Sequence, residues 1–218
     1  MAPASIHLPR ILRIGAGASA TLLDTLGELG LARPLLVTDP FLAERGFAER
    51  LLQPLMRAGI ACPVFAECVP DPTTDSVAAC LSQLRSGDFD CLVALGGGSS
   101  LDTAKAVSVL ALHGGAMRDF AVPATVPSGL PVIAIPTTAG TGAEVTRAAV
   151  ITDTLTQEKM LCMGLGLVPV AALVDFELTL SMPHRLTADT GLDSLCHALE
   201  AYVSRKANAF TDSIALTA

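Results

Sequence analysis

The sequence has no tryptophan and a single tyrosine, and aromatic residues make up 4% of its 218 positions. Its 51% hydrophobic content rests on Ala, Leu and Val instead, together with 18 glycines. That composition favours an α/β protein whose strands are buried on both faces, because such strands read as continuous apolar runs. A run long enough to cross a membrane is missing: Leu161–Val174 is broken by Gly164, Gly166 and Pro169 and falls short of the ~20 residues a span needs. None of the six cysteines forms a CxxC pair, so reduced thiols in a cytoplasmic protein are expected rather than a metal knuckle. The opening MAPASIHLPR lacks a basic segment followed by an apolar core, so no signal peptide is expected. Positive charge is scarce too. Lys and Arg number 14 against 21 Asp and Glu, a net charge of −7, which argues against a nucleic-acid surface.

What is present is a rhythm. Short apolar runs at Pro34–Thr38, Ile60–Phe65, Asp90–Leu95 and Pro131–Ile135 read as buried strands, with an edge strand around Ile11–Ile14. Helical patterns lie at Ser19–Leu29, Phe41–Ala58, Thr74–Arg85 and Leu101–Leu112. This alternation predicts βαβ units and a Rossmann-like parallel sheet flanked by helices. After Gly140 the rhythm changes. Val145–Ile151 and Lys159–Cys162 suggest a hairpin around TDTLTQE, and Val168–Val174 suggests one more strand. Pro183 then suits the opening of a helix over His184–Ser204, and a further helix begins near Thr211. The reading is a nucleotide-binding α/β domain over residues 1–180, followed by the incomplete start of an all-α domain over 181–218.

The segment DCLVALGGGSSLDTAKAV runs from a strand through Gly96–Gly98 into a helix. Glycines let the backbone approach a ligand, and the helix N-terminus offers free N–H groups and a positive dipole end that suit a pyrophosphate. Tight packing alone explains such a turn equally well. Ser99 or Ser100 is expected to cap the helix, with Asp102 as the acidic partner of an S-x-x-D box. Asp39, at the end of LLVTD, is placed either to hold ribose hydroxyls or to cap the helix after Pro40. PTTAGTGAEVT, Pro136–Thr146, follows a predicted strand and should face the same cleft, since parallel strands present ligands at their carboxyl ends.

Asp193 and His197 stand four residues apart, which puts both side chains on one helix face. Such a pair can donate to a divalent metal such as iron or zinc, although at this spacing it is more often a simple surface pair. Two donors do not complete a site. Asp189 fits the start of the helix, and His7, His113 and His184 have no partnered spacing.

Taken in order, RPLLVTDPFL, GGGSSLDTAKA, IPTTAGTGAEVT and TGLDSLCHALEAYVS resemble the iron-containing (group III) alcohol dehydrogenases over essentially the whole chain. The resemblance implies an NAD-dependent enzyme acting on a small alcohol or aldehyde, with a divalent metal, iron rather than zinc, between the two domains. It implies that Asp39 selects and binds the ribose, and that Gly97, Gly98 and Ser99 cradle the pyrophosphate with Asp102 alongside. Thr137, Thr138, Thr141 and Lys159 match further cofactor contacts, and Asp193 and His197 match the first two metal ligands. Two more histidines would follow beyond Ala218, and a homo-oligomer is expected of the complete protein. No residue stands out as a general acid. Phe176 departs from the family's usual proline in D-P-x-L-T. Two alternatives stay open: an NAD-binding module without turnover, and a fold-mate of the glycerol dehydrogenase or 3-dehydroquinate synthase kind.

Overall fold

The computed structural model describes residues 3–218. Six strands form one sheet: β1 (Ile11–Ile14), β2 (Pro34–Val37), β3 (Val64–Phe65), β4 (Cys91–Gly96), β5 (Val132–Pro136) and β8 (Ala171–Val174). Their order is β1-β8-β5-β4-β2-β3 and every pairing is parallel. The remaining two strands, β6 (Ala148–Thr152) and β7 (Lys159–Met163), form a separate antiparallel hairpin.

Central strands are apolar throughout because helices cover both faces. Leu35, Val37, Leu92, Ala94 and Ala134 point to a core shared with Val77 and Leu81 of α4 (Thr74–Arg85) and with Ala104 and Val107 of α5 (Gly98–His113). Leu36, Val93, Leu95, Ile133 and Ile135 point the other way, onto Leu22 and Leu26 of α1 (Leu22–Leu29) and Leu52 and Leu55 of α3 (Phe47–Arg57). The hairpin closes over α5, adding Ala149, Ile151 and Cys162 to the first core. Being enclosed by sheet, α4 and hairpin, α5 is buried over most of its circumference, Ser100, Thr103, Lys105 and Ser108 included.

Several boundaries differ from the sequence reading, each for a local reason. The run Ile60–Phe65 contributes only two strand residues. Gly59, at φ 75°, closes α3, and the Ile60 N–H donates back to the Leu55 carbonyl at 2.9 Å, so Ile60 belongs to the helix exit. The pattern Phe41–Ala58 is two helices, α2 (Pro40–Glu44) and α3, separated at Gly46, whose φ of 74° breaks the helical path. The first turn of Ser19–Leu29 is a 3-10 turn, and the strand expected from Val168 begins at Ala171. The helix after the glycine turn starts at Gly98, earlier than expected, with Gly97 at its N-cap and no side-chain cap. Ser99 and Ser100 therefore lie inside α5, and the S-x-x-D box does not form. The Asp102 carboxylate accepts instead from the Val150 N–H at 2.9 Å, on the hairpin.

The chain ends in α6 (His184–Val203) and α7 (Ala209–Thr217), which pack on each other. Neither contains a buried residue, and Leu192, Leu195, Leu199 and Ile214 are exposed. No helix among the described residues is long and apolar enough to cross a membrane. All six cysteines are free thiols.

Candidate cofactor and metal site

The carboxyl ends of β2, β4 and β5 lie on one edge of the sheet, in register: Val37 beside Ala94, and Gly96 beside Pro136. The Thr137 N–H donates to the Gly96 carbonyl at 3.0 Å, so the threonine loop leaves the sheet alongside the glycine turn. The two segments touch. A Cβ on Gly97 would lie 3.3 Å from the Thr138 methyl, and one on Gly98 would lie 3.0 Å from the Thr141 methyl. Gly96 sits at φ 151°, where a side chain is strained, and a Cβ there would meet the Ser100 hydroxyl at 2.5 Å. Absent side chains keep the N-terminus of α5 open between turn and loop, which leaves its unpaired N–H groups and dipole available.

Asp39 belongs to this edge. One carboxylate oxygen caps α2, accepting from the Leu42 N–H at 2.9 Å. The other lies 3.4 Å from where a Gly96 Cβ would stand. The capping role is therefore real, and it leaves the second oxygen beside the glycine turn.

Two candidate residues are engaged elsewhere. Asp102 is tied to the hairpin and lies 3.9 Å from the Lys105 ammonium. Burial pushes its carboxyl up, against the opposing pull of Lys105 and the Val150 N–H. Lys159, the first residue of β7, pairs with Asp71 at 2.7 Å, and no hydrogen bond joins it to the glycine turn among the described residues.

Sequence reasoning missed Lys105. It is 1% exposed on α5 and donates to the Thr146 carbonyl and hydroxyl and to the Ala148 carbonyl. Its signal was the lone cation within the helical pattern Leu101–Leu112. Burial pulls its ammonium down to about 8, against the opposing carboxylates of Asp102 and Glu144. Lys105 fastens the far end of the threonine loop to the helix that carries the glycine turn.

On α6, His197 Nε2 lies 3.6 Å from an Asp193 carboxylate oxygen, and both side chains are about half exposed. The other ring nitrogen, Nδ1, lies 3.3 Å from the Gly140 carbonyl in the threonine loop. The helix also approaches that loop at Thr190, whose Cβ and carbonyl oxygen would each be 2.9 Å from a Gly140 Cβ. The donor set suits a divalent cation: a carboxylate and an imidazole nitrogen face each other beside the threonine loop. It is half a site, because no group of three His, Cys, Asp or Glu residues is gathered among the described residues. Asp189 pairs with Arg185 at 3.7 Å on the exposed side, and Cys196 is exposed.

Comparison with known proteins follows the same outline. The sequence-family model for iron-containing alcohol dehydrogenase matches residues 9–176, and the model for the C-terminal part of Fe-containing alcohol dehydrogenases matches residues 187–218. The NAD-dependent methanol dehydrogenase of Bacillus methanolicus is 39% identical over 98% of this chain and 56% of its own length. A solved 1,3-propanediol oxidoreductase superposes with a TM-score of 0.93 at 34% identity, over 97% of this chain and 56% of that one. Sulfoacetaldehyde reductase from Bifidobacterium kashiwanohense, solved with NAD+, gives 0.91 at 34% identity, over 99% of this chain and 57% of that one. The chain thus spans a little over half the length of these relatives.

Proposed function

This chain belongs to the iron-containing alcohol dehydrogenase family, and from that premise we propose that it forms the cofactor half of an NAD-linked oxidoreductase of small alcohols and aldehydes. The observation that carries this reading is convergence: Asp39, the Gly96–Gly98 turn, Thr138 and Thr141 meet at one sheet edge, and His197 is bonded to the same threonine loop. Residues 1–180 then act as the nucleotide-binding domain, and 181–218 as the first part of a helical domain.

In this reading the free N–H groups at Gly98 and Ser99 bind the pyrophosphate, where the helix dipole favours negative charge. Asp39 accepts from ribose hydroxyls and repels a 2′-phosphate, which selects NAD over NADP. Thr137, Thr138 and Thr141 contact the cofactor beside the turn, while Asp102 on α5, tied to the hairpin, and Lys159 on β7 stand alongside. Asp193 and His197 would hold a divalent iron as two of its ligands. When bound there, the metal supplies Lewis-acid polarisation of the substrate oxygen. The protein's own contribution is to fix the separation and orientation of alcohol carbon and nicotinamide for hydride transfer, and to exclude water from the cleft.

Purified protein carrying Asp193→Ala or His197→Ala should lose bound metal while keeping its NAD affinity. Unchanged metal content in both variants contradicts the metal assignment. A second reading is favoured by the exposed apolar residues of α6 and α7 and by the two-donor metal site: the 218-residue chain binds NAD without turnover. NADH-dependent aldehyde reduction by the purified chain would reject it.

A further inference from the structure

We propose that the Gly140 carbonyl is a positioning group for His197: it holds the imidazole in the Nδ1–H tautomer and thereby turns the Nε2 lone pair toward Asp193. This rests on the assignment of His197 as a metal ligand for its purpose, but not for its geometry. A carbonyl oxygen only accepts, so in a hydrogen bond across this 3.3 Å the ring nitrogen carries the hydrogen. In a neutral ring the second nitrogen then has a lone pair and no hydrogen. That second nitrogen lies 3.6 Å from a carboxylate oxygen, which also has nothing to donate. In the neutral ring these two acceptors can share a cation, whereas a doubly protonated ring would donate to the carboxylate itself, which is why the tautomer is read at alkaline pH.

Gly140 can do this because it has no side chain. A Cβ would stand 2.9 Å from both the Cβ and the carbonyl oxygen of Thr190, one turn before Asp193 on the same helix. Neither group is the free end of a flexible chain, so any side chain at 140 must push the loop off α6 and lengthen the bond to His197. The loop concerned also carries Thr137, Thr138 and Thr141, and its far end is held by Lys105. One backbone segment therefore lines the proposed cofactor site on one side and orients a proposed metal ligand on the other. Outer groups of this kind fix ligand orientation, and their loss lowers metal affinity by about 10–100-fold.

The test is the tautomer of His197, read by long-range 1H–15N correlation NMR on metal-free protein at alkaline pH. Wild type should show a protonated Nδ1 and an unprotonated Nε2, and Asp193→Asn should keep that pattern because the bond to Gly140 survives. Gly140→Ala should move the ring to a mixture or to the Nε2–H form, and should weaken Zn2+ binding about 10-fold or more in a chelator competition. A wild-type ring already in the Nε2–H form overturns the proposal without recourse to any variant, and so does a Gly140→Ala ring that remains Nδ1–H. These outcomes are separate from the metal assignment, which fails only if Asp193→Ala and His197→Ala retain their metal.

Discussion

Lys105 and Thr146 are joined twice, the ammonium donating to both the carbonyl and the hydroxyl of Thr146 at 3.2 Å. A third bond, to the Ala148 carbonyl at 2.9 Å, extends the link into β6. A fully buried cation with three acceptors holds helix, loop and hairpin in fixed relation. Removing it leaves those acceptors and Asp102 without their partner. Lys105→Met is therefore expected to lower stability by roughly 2–4 kcal/mol, read as a reduced urea midpoint at unchanged slope.

The same lysine gives a pH signature. Its folded value, about 8, lies below its ordinary 10.5, so between these limits the unfolded chain binds more protons and wild-type stability gains from rising pH. Burial pushes the thiols of Cys68 and Cys162 up to about 11 and of Cys62 to about 12, which costs stability above pH 9. That loss is common to wild type and Lys105→Met. The stability difference between the two proteins should widen from pH 8 to pH 10, and a difference that narrows would contradict the buried ammonium.

Asp39 caps α2 and is proposed to face the ribose, and substitution separates the two. Asp39→Asn keeps an N-cap of equal quality, so its thermal midpoint should stay at the wild-type value while discrimination against NADP relaxes. Asp39→Ala should lose about 1 kcal/mol of stability as well. Unchanged cofactor preference in Asp39→Asn would leave capping as the residue's whole function.

Asp175 closes the opposite end of the sheet edge. Its carboxylate accepts from the backbone N–H groups of Gly17, Ser19 and Glu177 at 3.2 Å each and from the Ser19 hydroxyl at 2.6 Å. Burial pushes this carboxyl up, but the donors outweigh it and hold the value below the ordinary 3.8. Its contribution is thus present above pH 4 and lost as the group protonates at lower pH. Asp175→Ala is expected to cost about 2–3 kcal/mol in urea unfolding at neutral pH, with a smaller cost in acid.

The sheet was legible because its strands are short, continuous apolar runs between helical patterns, as in CLVALG and VIAIP. What misled were residues whose character is local but whose placement is set by a neighbour. Ile60 looks like a strand residue, yet Gly59 turns it back onto α3. Ser99 and Asp102 look like a capping box, yet the helix begins at Gly98 and the hairpin claims Asp102. Asp193 and His197 were readable from their spacing. Gly140 was not readable as their neighbour, because a backbone carbonyl leaves no trace in the residue type. Lys105 left a trace, a lone cation in a helical pattern, but its partners are two backbone carbonyls and a hydroxyl distant in sequence.

Dinucleotide binding at the proposed cofactor edge is directly measurable through the fluorescence of NADH itself. Titration of the purified chain into NADH should give a saturable enhancement that NAD+ displaces. Gly98→Val, which drives a branched side chain into Thr141, should weaken it at least tenfold, about 1.4 kcal/mol, with the thermal transition retained. No saturable enhancement in the folded wild-type chain, or equal affinity in Gly98→Val, would contradict a dinucleotide site at the Gly96–Gly98 turn.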